Sequence, residues 1–73
     1  MRYSVILTMS GIDPATGKCF CKDSTVGLAK TRKYAQELYS QFLQEHRFKP
    51  SERYGIFLSI VCNGRSIVRQ QIN

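Results

Sequence analysis

The chain has no G-x-S-x-G, no Walker loop and no H-E-x-x-H, so the short arrangements that announce a nucleophile, a phosphate cradle or a catalytic zinc are missing. Its one histidine, His46, has no obvious catalytic companion, and Asp13 and Asp23 flank the second strand too far apart for acid-base pairing. No segment approaches the run of about twenty apolar residues that crosses a bilayer, and Val5 to Met9 is too short for the core of a secretory signal. A membrane partner is therefore not expected. Internal repeats, low-complexity tracts and interdomain linkers are missing as well.

Cysteine is scarce and odd in number. Cys19, Cys21 and Cys62 make a poor disulfide framework and point to a reducing compartment, for which the cytoplasm is the default. With His46 they could be counted as four zinc ligands, but a C-x-C without a second close pair does not match structural-zinc spacing. Neither a metal nor a cofactor is expected. At 73 residues the chain reads as one domain, 1–73, and a core of that size buries only about 60% of the unfolded surface. A cofactor-sized cleft asks much of such a core, so an enzyme is not expected.

Acidic residues are few. Five Asp and Glu against eleven Lys and Arg give a net charge of +6, which bears on partners and not on fold. Nucleic acid, an acidic protein and a membrane surface all qualify on charge alone, and basicity for solubility is the plain alternative.

What is present is organised around Tyr54 to Ile72, two alternating runs joined at Asn63-Gly64. Tyr54, Ile56, Leu58, Ile60 and Cys62 recur at every second residue, the spacing that lines one face of a strand. Asn63-Gly64 tolerates positive φ and is a strong hairpin signal. A two-residue turn would set Leu58 opposite Arg69, placing a guanidinium among core residues. A three-residue loop, Cys62-Asn63-Gly64 with Gly64 in a bulge, sets Leu58 opposite Val68 and Tyr54 opposite Ile72, and is the expected register. Tyr54, Ile56, Leu58, Ile60, Val68 and Ile72 then face inward, and Phe57, Val61, Arg65, Ile67 and Arg69 outward.

Upstream, Arg2 to Ser10 alternates as a first strand. Asp13-Pro14 to Gly17 forms a turn. Lys18 to Thr25 follows as a second strand, with Cys19 and Cys21 the inward pair and Lys18, Phe20 and Lys22 outward. Between Val26 and His46 the period becomes helical, with Leu28, Ala35, Leu38, Tyr39, Phe42 and Leu43 in one stripe. Thr25 and Thr31 are both candidate caps, and Pro50 ends the helix near His46 or Arg47.

The expected fold is α+β: a two-layer ββαββ unit in which one helix packs on one face of a four-stranded antiparallel sheet, strand order 2-1-3-4 or a close variant. One helix covers one face. The other would carry Ile6, Phe20, Phe57, Val61 and Ile67 among Lys18, Lys22, Arg65 and Arg69, aromatics that can stack bases and cations that can meet phosphates. Lys30, Arg32 and Lys33 near the helix start form an auxiliary anion site or a solvated basic face. The leading expectation is a nucleic-acid-binding module. The alternative is a small adaptor or inhibitor docking on an acidic protein, and the same face serves equally as a homodimer interface. Arg53 to Ile60 does not match the RNA-recognition sheet motif, because the glycine and the spaced aromatics are misplaced.

Overall fold

One row of residues fixes the frame. Ala29, Tyr3, Cys62 and Arg65 are successive partners across four strands, so β2 (Cys19–Ala29), β1 (Tyr3–Ile12), β3 (Tyr54–Cys62) and β4 (Arg65–Gln71) lie side by side in the order β2-β1-β3-β4, every neighbour antiparallel. The computed structural model describes residues 2–73. The two most apolar strands occupy the centre, where both sides of each ladder are paired, and the charged strands form the edges, as expected of edges that resist pairing with other chains.

The single helix, α1 (Arg32–Glu45), lies on one face. Thr31 caps it: its side-chain oxygen accepts the Tyr34 N–H at 3.2 Å, and its carbonyl accepts the Ala35 N–H at 3.1 Å. From Ala35 to Leu43 the stripe is as the periodicity implies. Ala35 and Tyr39 are buried, with Leu38, Phe42 and Leu43 packed around a core of Val5, Ala29, Leu58 and Ile60. Gly27 lets the helix come close, since a Cβ there would sit 3.2 Å from Leu38 Cδ1. Inside the core, the Tyr39 hydroxyl donates to the Leu58 carbonyl at 3.2 Å. Burial pushes the Tyr39 phenol up from its ordinary value of 10.0.

Four local expectations are corrected. The helix does not begin at Val26: Val26 to Ala29 continue β2, and Leu28, expected in the helix stripe, is a strand residue 64% exposed. β-Branched Thr25 and Val26 with Gly27 extend more readily than they coil, and pairing with β1 settles the matter. β1 likewise runs to Ile12, two residues past the expected end, held by Phe20 and Cys19 opposite Gly11 and Ile12.

The C-terminal hairpin uses the two-residue turn after all. Asn63 and Gly64 both have positive φ, 53° and 76°, and Cys62 pairs with Arg65. The guanidinium stays out of the core by another device. A bulge leaves Ile67 unpaired, so Ile60 meets Val68 and Leu58 meets Gln70. Because that register differs from the expected one by two residues at Leu58, Val68 and Ile72 still face the helix. Tyr54 does not meet Ile72 as expected; the Ile72 N–H instead donates to the Ile56 carbonyl at 2.8 Å. Past the end of β4, the Asn73 side chain imitates one more strand residue, accepting the Ile56 N–H at 2.9 Å and donating to the Tyr54 carbonyl at 3.3 Å.

β2 turns its faces the opposite way from that expected. Ser10 pairs with Cys21 and Thr8 with Asp23, so Cys19, Cys21 and Asp23 belong to the open face, while Phe20 and Lys22 lie on the helix side opposite Gly11 and Met9. No core demands the cysteines there. β1 at about 3.3 Å per residue is about 33 Å long and the helix at about 1.5 Å per residue only about 21 Å, so this part of the hairpin projects beyond the helix. Met9 and Phe20 accordingly keep 37% and 38% exposure, and the molecule measures 41 × 25 × 15 Å.

Candidate functional site

The row Ala29, Tyr3, Cys62, Arg65 is also where the cations collect. Arg2 precedes Tyr3, and Lys30 and Thr31 carry the chain from Ala29 into the helix, whose first two residues are Arg32 and Lys33. With Arg65 at the far corner, five of the eleven cations stand at one end of the molecule. No acidic residue lies in the first helical turn. Of the five carboxylates, Asp13 sits in the opposite turn, Asp23 beside Thr8, Glu45 at the helix end, Glu52 in the connection to β3, and Glu37 is the sixth helical residue, one turn on from Lys33. The end therefore combines side-chain charge with the positive pole of a helix and the N–H groups of Arg32 and Lys33, which have no intrahelical partner.

Beside it is a hollow of about 520 Å³ lined by Arg2, Leu28, Ala29, Lys30, Thr31 and Tyr34. Its walls are apolar and its rim cationic: Leu28 is 64% and Tyr34 51% exposed. Sequence reasoning singled out Lys30, Arg32 and Lys33 here but missed Arg2, Leu28 and Tyr34. Their proximity depends on β2 pairing with β1 up to Ala29, which a helical reading of Val26 to Ala29 conceals.

The expected open-face site is dispersed. Of its members, Ile6, Phe57, Val61 and Arg69 do share that face by alternation about β1, β3 and β4. Phe20 and Lys22 are on the other side, Lys18 lies in the turn before β2 with its carbonyl accepting the Asp13 N–H, Arg65 belongs to the helix-side row of Cys62, and Ile67 is the bulged residue. What the open face holds instead is Thr8, Cys21, Asp23, Ser59 and Ser66 around one shallow depression with Ile6 and Arg69. It carries one cation and one carboxylate. The Arg69 guanidinium lies 4.6 Å over the Phe57 ring and covers one face of it.

The other chemistry-bearing groups are scattered. Among the described residues, no three His, Cys, Asp or Glu side chains cluster so as to hold a metal ion. His46 stacks on Phe42 at 4.3 Å between ring centroids, and its backbone N–H caps the helix by donating to the Phe42 carbonyl. Cys19 and Cys21 are exposed and unbridged. No helix among the described residues is long and apolar enough to cross a membrane. Comparison with protein-family models, with curated proteins and with solved structures returns no match in any of the three.

Proposed function

We propose that this chain is a non-enzymatic binding module that holds nucleic acid at its basic end, with Arg2, Lys30, Arg32, Lys33 and Arg65 meeting phosphates and Tyr34 with Leu28 offering a surface to an unstacked base. The observation that carries the reading is the segregation of charge: five cations and a helix N-terminus at one end, where the nearest carboxylate is Glu37, one helical turn on from Lys33. A field of one sign concentrates a polyanion, and a flexible single strand can follow a curved basic surface while placing a base against Tyr34. The interface is thus moved from the sheet face to the sheet end. An acidic protein segment is the competing occupant, because it answers the same field.

Fluorescence anisotropy with mixed-sequence single-stranded and duplex oligonucleotides at several salt concentrations tests the proposal. If all five cations neutralise phosphates, log K for the single strand falls against log salt with a slope of about −3.5. Lys30→Glu with Lys33→Glu flattens that slope and weakens binding, whereas Lys49→Glu at the far end does so much less. Binding that is absent even at low salt, or equally sensitive to Lys49→Glu, overturns the reading. A chain that ignores oligonucleotides and binds a glutamate-rich peptide belongs to the protein-docking class instead.

A further inference from the structure

The open face contains a charge arrangement that a second copy of the chain would complete. Asp23 stands at its β2 margin and Arg69 at its β4 margin, with β1 and β3 between them. The Asp23 row runs through Thr8 and Phe57, and the Arg69 row through Ser59 and Ile6, two residues away along the strands. That offset is removed by the side chain itself, because the Arg69 guanidinium leans 4.6 Å over Phe57 and so lies in the Asp23 row. Asp23 is steadied in turn by the Thr8 hydroxyl, which donates to its carboxylate at 2.6 Å. Opposite charges therefore face each other along one row but do not meet within the chain, since with the guanidinium over Phe57 on β3 about two strand spacings of about 4.8 Å still separate it from Asp23.

We infer that this face pairs with the same face of a second copy about a two-fold axis parallel to the strands, each Asp23 meeting the partner copy's Arg69 across a centre of Ile6, Phe57 and Val61. Such an axis reverses the across-sheet coordinate and keeps the coordinate along the strands, so the β2 margin of one copy faces the β4 margin of the other. Aligned sheet-on-sheet packing is the ordinary geometry for two such faces. From strand spacing and rise the face measures about 500 Å² per copy, so a pair buries about 1,000 Å², the lower end of specific interfaces. The dimer is accordingly reversible. Its two basic ends emerge side by side, but the inference rests on the open face alone and not on what those ends bind.

Sedimentation equilibrium of the full chain, without nucleic acid and up to about 200 micromolar, reads the association at the micromolar to submillimolar Kd suited to so small an interface. The wild type shows a concentration-dependent dimer. Asp23→Arg and Arg69→Asp each raise the dimer Kd by about tenfold or more, since each sets like charges together at both margins. Two restorations follow: the double variant Asp23→Arg with Arg69→Asp dimerises again, and so does an equimolar mixture of the two single variants, which matches opposite charges at both margins. The mixture also proves that both single variants are folded. A wild type monomeric throughout, or reversals that neither the double variant nor the mixture repairs, overturns the inference. So does a monomer in which Arg69→Asp abolishes oligonucleotide binding, which would assign the face to nucleic acid.

Discussion

The hydroxyl of Tyr39 reaches from the helix to the carbonyl of Leu58 at 3.2 Å, joining the helix to the strand at the middle of the sheet. Tyr39 is 7% and Leu58 0% exposed, so this polar contact sits inside the apolar layer and needs its partner. Tyr39→Phe removes the donor and is expected to cost about 0.5–1.5 kcal/mol in chemical denaturation.

The same residue sets an alkaline limb. Because burial raises the folded-state pKa of Tyr39 above 10.0, the folded chain keeps a proton that the unfolded chain gives up. Stability from this group is therefore intact below about pH 10 and falls as pH rises through the folded-state value. Subtracting the Tyr39→Phe pH-stability curve from that of the wild type isolates this limb. A flat difference between pH 9 and 12 (about the window in which a raised tyrosine titrates) would refute it.

Leu58 has no exposed surface and packs with Val5, Ile60 and Ala35 in the core. Leu58→Ala is expected to destabilise by about 2–5 kcal/mol, enough to unfold much of so small a domain at room temperature. Met9→Ala, at the same face but beyond the helix and 37% exposed, should cost far less. Thermal melts by circular dichroism compare the two.

Gly11 is needed for a close approach. A Cβ there would run into the Arg53 carbonyl oxygen and stand 2.8 Å from Tyr54 Cβ, and Arg53 uses that carbonyl to accept the Ile12 N–H at 3.2 Å. Gly11→Ala must push two strands apart and is expected to cost more than about 1 kcal/mol. Hydrogen exchange would show the loss as faster exchange at Ile12 and its neighbours.

Asn73 stands in for backbone at the end of β4. Asn73→Ala leaves the N–H of Ile56, a residue 2% exposed, without its 2.9 Å acceptor, and the expected loss is about 1–3 kcal/mol. Asn73→Asp keeps the acceptor and gives up only the 3.3 Å donation to Tyr54, so it should fall between alanine and wild type. Denaturant midpoints order the three.

By itself the sequence determined the layer architecture, and the reason is periodicity. Alternation at Tyr3, Val5, Leu7 and at Ile56, Leu58, Ile60 leaves one apolar face per strand, the stripe of Ala35, Leu38, Tyr39 and Phe42 matches it, and burying the two against each other yields one helix on one sheet with the apolar strands central. The cluster Lys30, Arg32 and Lys33 was legible for the same reason, since it adjoins a helix start. Where alternation carries no apolar bias, as at Cys19 to Thr25, local pattern cannot say which side faces in. Pairing with β1 decided that and sent Phe20 and Lys22 to one side and Cys21 and Asp23 to the other. The bulge at Ile67 was likewise invisible, because it is the packing of Val68 and Ile72 against the core that inserts it. Only the tertiary structure could bring Arg2, Tyr34 and Arg65 to one end and Asp23 and Arg69 to the margins of one face: these are distances between strands, fixed by ladder register, and register is a property of the whole sheet.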